Sequence, residues 1–180
     1  VLDIGCGGGI LAESMAHLGA NVHGIDVVER NIGIARQHAL QSKLSIEYEY
    51  LDVEEAVRRA QRYDVVLNME VVEHVADLPL FMSLCNQLVA DGGVMYIATI
   101  NRNLLSWLFA IVGAEYVLRW LPKGTHSWFK FVKPRELEAL LARDDMTINA
   151  TTGVRVNPFT RQFSLTTRLS VNYMLAKDSV

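Results

Sequence analysis

Apolar and polar positions alternate along the chain with two periods, and the periods take turns. Val1–Ile4 is a short apolar run that stops at a glycine cluster, which predicts a buried strand. Ile10–Leu18 repeats at helical spacing and is stopped by Gly19. Asn21–Ile25 predicts a second strand, ending at Asp26. Arg30–Gln41 reads as a helix, Ser45–Tyr50 as a third strand and Glu54–Gln61 as a helix. Asp64–Met69 is a continuous apolar strand. Leu80–Leu88 is a helix ending before Asp91-Gly92-Gly93, which predicts a turn, and Val94–Ile100 is a fifth strand. Pro134–Leu141 predicts a further helix. Asn149–Val156 and Ser170–Ala176 are extended stretches with no clear helix between them, which suggests a hairpin and an antiparallel edge. Strand and helix in alternation predict a doubly wound α/β sheet with helices on both faces.

Between the fifth strand and Pro134 lies an apolar segment within residues 101–130, "LLSWLFAIVGAEYVLRWLPKGTH". Its apolar core is broken by Ser106, Gly113 and Glu115, and a span needs about 20 apolar residues, so a transmembrane helix is not expected. Two readings remain: a helix buried against the sheet, or a lid lying on a membrane with Trp107, Tyr116 and Trp120 at the lipid boundary.

Composition narrows the class. The 180 residues are 51% apolar with a formal net charge of −3, consistent with one domain and without the basic excess of a nucleic-acid binder. Cys6 and Cys85 are the only cysteines, too few for a disulfide framework, so a reducing compartment is expected. Val1 opens directly inside a strand without Met, so further residues are expected upstream.

"VLDIGCGGGI" sets Gly5, Gly7, Gly8 and Gly9 between a strand and a helix, with Asp26 at the end of the next strand. Glycines let a backbone approach a ligand closely, and an acid at Asp26 can accept ribose hydroxyls. The dinucleotide pattern G-x-G-x-x-G fails, because its last small residue would be Ile10. Asp3 ahead of the glycines disfavours a pyrophosphate and suits a cationic nucleoside such as S-adenosylmethionine. A second cluster, "NMEVVEHV", follows the fourth strand. Glu70, Glu73 and His74 are spaced i, i+3, i+4 and would share one face of a helical turn. They could bind a divalent metal, or His74 could serve as a general base tuned by the carboxylates. His17, His23 and His38 read as surface or packing residues, Cys6 as a packing residue, and His126 as a residue near a substrate entrance.

Together "VLDIGCGGG", "GID", "NMEVVEHV", "ATINRN" and "GAEYVLRWLPKGTH" resemble the ubiquinone-biosynthesis O-methyltransferases, from Val1 to about Met174. The resemblance implies a class I methyltransferase with a seven-stranded doubly wound sheet and S-adenosylmethionine as methyl donor. It implies cofactor contacts at Gly5, Asp26 and Met69, beside the contacts expected of Asp3 and Gly7; Asp52 sits where related enzymes touch adenine. It favours a metal, Mg²⁺, at Glu70, Glu73 and His74. The acceptor would be a phenolic hydroxyl of a polyprenyl catechol or hydroquinol. Such an acceptor lives in lipid, which favours the membrane-lying lid, with Lys123, Lys130, Lys133 and Arg135 adding attraction to anionic lipid. Peripheral attachment to the inner membrane of a Gram-negative bacterium is expected, or the matrix side in mitochondria, and a ubiquinone-biosynthesis complex is a candidate partner. Two competing expectations are a non-catalytic quinone- or lipid-binding subunit on the same fold, and a nicotinamide-dependent oxidoreductase. Intact acidic and glycine positions argue against the first, and Ile10 against the second.

Overall fold

The computed structural model describes residues 1–103, 106, 130–142, 147–157 and 162–178. In chain order the elements are β1 (Leu2–Ile4), α1 (Ile10–His17), β2 (His23–Asp26), α2 (Glu29–Ser42), β3 (Glu47–Tyr50) and α3 (Val53–Arg58). Then follow β4 (Tyr63–Met69), α4 (Leu78–Gln87), β5 (Val89–Ile100), α5 (Pro134–Leu141), β6 (Thr147–Val156), β7 (Phe163–Thr166) and β8 (Asn172–Asp178). Among the described residues one sheet carries eight strands in the order β3-β2-β1-β4-β5-β8-β6-β7. The pairs from β3 to β5 are parallel, and β8, β6 and β7 join antiparallel.

The doubly wound architecture is therefore the one expected, with one strand more than seven. The addition is β7, which pairs with the outer half of β6 through Gly153↔Thr166 to Val156↔Phe163. Its exposed Leu165 breaks the apolar pattern and explains why periodicity does not reveal it. A second difference concerns Asp91-Gly92-Gly93, which is not a turn between elements but part of β5. The register passes from Tyr63↔Val89 to Val65↔Val94, so extra residues of β5 bulge from the ladder there. A Cβ on Gly93 would come within 2.9 Å of the Ala90 carbonyl oxygen and 3.0 Å of that of Asp64, so the bulge requires glycine.

Side chains alternate across β1. Asp3 meets the backbone of Ala12 in α1. Leu2 and Ile4 join the larger cluster with Val66, Met82, Cys85, Ile97, Leu137 and Leu175, which α3, α4 and α5 cover. A smaller cluster of Ala12, Ile32, Ala35, Ala39 and Tyr48 lies under α1 and α2. The fully buried Lys177 donates to the Leu141 carbonyl at the end of α5 at 2.8 Å, placing positive charge at the negative pole of that helix.

This topology fixes the site. The strand order reverses between β1 and β4, and ligands of open α/β sheets bind outside the carboxyl ends at that switch point. Ile4 and Met69 end those two strands.

Leu137 is fully buried under the sheet, whereas Leu165 is 73% exposed on the edge strand. Leu137→Ala should lower the unfolding free energy by about 2–5 kcal/mol. Leu165→Ala should change it by no more than about 0.5 kcal/mol. Urea denaturation of the two variants checks the assignment of core and edge.

Candidate active site

The glycine loop is drawn onto the end of β2. The N–H groups of Gly5 and Cys6 both donate to the Ile25 carbonyl, at 2.8 and 3.0 Å. Gly7 N–H donates to Asp26 Oδ2 at 2.9 Å. Asp26 also accepts from Val28 N–H at 2.8 Å and from the Asn31 amide at 3.2 Å. Gly9 lies at φ +85°, where an added Cβ would fall 2.4 Å from the Tyr48 hydroxyl, so it is glycine for packing. Gly7 lies at φ +54°, and a Cβ there would meet nothing within 4 Å. The loop thus closes against the protein at Gly9 and stays open at Gly7, where a ligand can approach its backbone.

Asp3 is 3% exposed. The Ala12 backbone supplies one hydrogen bond, and Oδ2 has no partner. Burial, and more weakly the Asp26 charge, push its carboxyl up to about 7. A buried carboxyl with an unsatisfied oxygen beside an open glycine loop suits a cationic ligand, whose charge would restore full ionisation. Asp52, exposed, caps α3 by accepting from Glu55 N–H at 2.7 Å and stands at the same carboxyl edge, beyond β3. Cys6 is buried and its thiol is pushed up to about 12, mainly by that burial, so it is a packing group and not a nucleophile.

Beyond Met69 the chain does not continue into the helical turn that the spacing of "EVVEH" predicts. Glu70 takes φ +59°, a left-handed conformation uncommon for a residue with a Cβ, while its N–H donates to Ala98 O at 2.8 Å. A single turn follows, closed by His74 N–H donating to Val71 O. The result divides the three residues. Glu70 and Glu73 hydrogen-bond to each other, whereas His74 faces solvent. Glu73 is buried and accepts from the buried Thr99 hydroxyl at 2.8 Å. Glu70 as a residue is exposed, yet its carboxyl is desolvated and lies against that of Glu73. Desolvation first, then the Glu73 charge, then the bond between them raise it well above the ordinary carboxylate range. Glu70 therefore keeps its proton near neutral pH and lies hydrogen-bonded to Glu73. Among the described residues, the ligand atoms of Glu70, Glu73 and His74 do not gather into one cluster of metal-binding size.

Thr99 is a site residue that the sequence reading misses; its place in "ATINRN" was the available signal. The rest of that motif fastens the entrance of the following segment. Asn101 and Asn103 side chains donate to the Leu169 and Ser170 carbonyls, both at 2.6 Å, Asn103 Oδ1 accepts from Ser106 N–H, and Arg102 pairs with Glu136 of α5. Lys130, Lys133 and Arg135 are exposed. His126, Lys123 and nearly all of Leu104–Leu121, including Trp107, Glu115, Tyr116, Arg119 and Trp120, lie outside the described residues.

The chain is similar to known proteins. A methyltransferase-domain family matches residues 1–149. A ubiquinone biosynthesis O-methyltransferase of Brucella anthropi is 51% identical over 178 residues, 99% of this chain and 72% of that protein. One from Rhizobium etli is 50% identical over 175 residues, 97% of this chain and 71% of that protein. Among solved structures, the magnesium protoporphyrin IX methyltransferase of Synechocystis with bound SAH superposes with a TM-score of 0.73 at 20% identity. The alignment covers 99% of this chain and 73% of that one, and it bears on the fold alone.

The unsatisfied Asp3 carboxyl gives a test that separates stability from binding. Its pKa is raised from the unfolded 3.8 to about 7, so its ionised form opposes folding. Stability is highest below the unfolded pKa and falls as pH rises through about 7. Asp3→Asn should remove most of that fall, which is worth at most about 4 kcal/mol. The variant should melt higher than the parent at pH 8 yet bind S-adenosylmethionine at least about tenfold more weakly. Thermal melts and calorimetric titration measure the two effects.

Proposed function

The chain belongs to the ubiquinone biosynthesis O-methyltransferases, and from that premise we propose how its residues transfer a methyl group from S-adenosylmethionine to a phenolic hydroxyl of a polyprenyl quinol precursor. The observation that carries the reading is the hydrogen-bonded carboxyl pair Glu70–Glu73 at the carboxyl end of β4, beside the strand that carries Asp3 and the glycine loop. One half of the switch point would hold the donor and the other half the acceptor.

The donor is held by its charges and its nucleoside. Asp3 suits its cationic end, Gly7 leaves room for close backbone approach, and Met69 borders it from β4. Asp26 can take a ribose hydroxyl only while keeping the loop bonds it already accepts, since a carboxylate has lone pairs for about four. Asp52 stands further along the edge, on the adenine side. In the transfer itself the acceptor oxygen attacks the methyl carbon in line. The carbon–sulfur bond breaks with its electron pair going to sulfur, and the hydroxyl proton passes to the enzyme. Alignment is worth roughly 7–11 kcal/mol of the barrier. Proton removal matters because a phenol has a pKa of about 10 and is mostly neutral at pH 7.

Glu70 and Glu73 fit a Mg²⁺ ion: they are two hard oxygen donors side by side, and Glu70 holds a proton that a cation can replace. Bound there, the ion would acidify and orient a catechol hydroxyl. Thr99 keeps Glu73 in place for either role. A metal-free reading is favoured by one observation, the exposure of His74 away from the carboxylates. In that reading His74 takes the phenolic proton as general base, an effect on the order of 10²–10⁴ in rate.

The acceptor's tail leads to lipid. We propose that the segment following Asn103 lies on the cytoplasmic face of the inner membrane, with the exposed Lys130, Lys133 and Arg135 facing anionic headgroups. No described helix is long and apolar enough to cross a membrane.

Methyl transfer from labelled S-adenosylmethionine to a short-chain prenyl catechol tests the reading. Activity should be abolished by EDTA and restored by Mg²⁺, more fully at pH 9 than at pH 7, because the ion must displace the proton held by Glu70. Activity indifferent to EDTA would exclude the metal and leave His74 as base. Glu73→Gln should lower kcat on the order of 10²-fold or more, with donor affinity unchanged within about twofold; full activity would remove the pair from the mechanism. Replacing Lys130, Lys133 and Arg135 by glutamate should weaken flotation with anionic liposomes several-fold. Unchanged flotation would remove these cations from the proposed membrane contact.

A further inference from the structure

At the opposite edge of the sheet, the amino ends of β2 and β3 bring His23, Glu47 and Glu49 together. One ligand atom from each lies within 4.8 Å of the other two. The strands are parallel and His23 pairs with Glu47 in register, so this end is remote from the glycine loop at the carboxyl ends.

His23 is 6% exposed. Nδ1 lies 2.7 Å from the Tyr63 hydroxyl, which donates its own hydrogen to Gln61 Oε1 at 3.1 Å. With that donation the hydroxyl oxygen accepts from the imidazole, which is the tautomer that puts the proton on Nδ1 and a lone pair on Nε2. Nε2 is buried with no hydrogen-bond partner, and Glu49 Oε2 faces it at 3.6 Å. In that tautomer the Nε2 lone pair and the Glu49 carboxylate oxygen repel. Either a proton or a cation between them removes the conflict. Burial holds the His23 pKa below its ordinary value against the pull of Glu47 and Glu49, with the Arg59 charge acting in the same direction as burial, so a proton is disfavoured near neutrality.

We propose that His23, Glu47 and Glu49 form a binding site for a divalent transition cation of the Zn²⁺ class, separate from the methyl-transfer site. One imidazole and two carboxylates suit zinc better than magnesium. The supporting contacts are those a zinc site needs. Tyr63 holds the ring tautomer from behind through Nδ1–H. Arg59 holds Glu49 by Oε1 at 2.8 Å and leaves Oε2 toward His23. Glu47 is exposed, which leaves water to complete a tetrahedron of three protein ligands and one solvent. Bound there, the ion ties the amino end of the edge strand β3 to β2 and stabilises the folded state.

The test uses the full-length protein, stripped of metal, with Glu70→Gln and Glu73→Gln introduced so that the other carboxylates do not contribute. Zn²⁺ is titrated in competition with a chromophoric chelator, and X-ray absorption reads the ligands. One Zn²⁺ should bind per chain with one imidazole nitrogen in its shell, and it should raise the melting temperature where equal Mg²⁺ does not. Glu47→Gln, at an exposed position, should weaken binding at least about tenfold, and Tyr63→Phe by about tenfold. His23→Gln should abolish it, with circular dichroism checking the fold. Absence of stoichiometric binding, or Zn²⁺ affinity unchanged by Glu47→Gln, overturns the proposal.

Discussion

The bonds that pull the glycine loop onto the end of β2 are what the rest of the active edge depends on. Two N–H groups converge on the Ile25 carbonyl and a third reaches the Asp26 carboxylate. Those bonds turn the chain sharply out of β1, aim α1 across the sheet, and leave Gly7 bare at the switch point. Asp26 is therefore first a structural anchor, and its capacity for a ribose is what remains after it has served the loop. The packing of Gly9 against Tyr48 holds the same turn from below.

With the turn fixed, the fold places carboxyl groups where water cannot fully solvate them. Asp3 lacks a partner for one oxygen, and Glu70, in a left-handed backbone position, is held protonated beside Glu73. Each is unfavourable in isolation, and local strain and unsatisfied polar groups concentrate at functional sites. The two defects lie on adjacent strands, one suited to a cationic methyl donor and one to a metal or an ionising hydroxyl. Thr99, reaching across from β5, keeps Glu73 from relaxing out of that arrangement.

Much of this was legible in the sequence, for identifiable reasons. Continuous apolar runs ending at glycine or acid mark the parallel strands, because strands covered on both faces need no alternation. The loop and Asp26 were readable because backbone geometry demands glycine and the acid has a fixed offset. What was not legible depended on contacts remote in sequence or on local backbone choices. Helical spacing at "EVVEH" suggested three converging side chains, but the positive φ of Glu70 and one tight turn separate His74 from the carboxylates. Asp91-Gly92-Gly93 has the composition of a turn and forms a bulge inside β5, because the strand resumes its pairing with β4 beyond it. The partnership of Thr99 with Glu73 needs β5 laid beside β4, and His23 shows its unpartnered nitrogen only once β3 and Tyr63 surround it.

The central claim is that the buried Asp3 carboxyl awaits a cation at the glycine loop. Proton linkage tests it most directly: calorimetric titration of S-adenosylmethionine at pH 6 in buffers of different ionisation enthalpy. With the carboxyl near 7 before binding, donor binding should release close to one proton at pH 6 and almost none at pH 9. The release should vanish in Asp3→Asn. Binding of the donor without proton release at pH 6, or with the same release in that variant, would contradict the account.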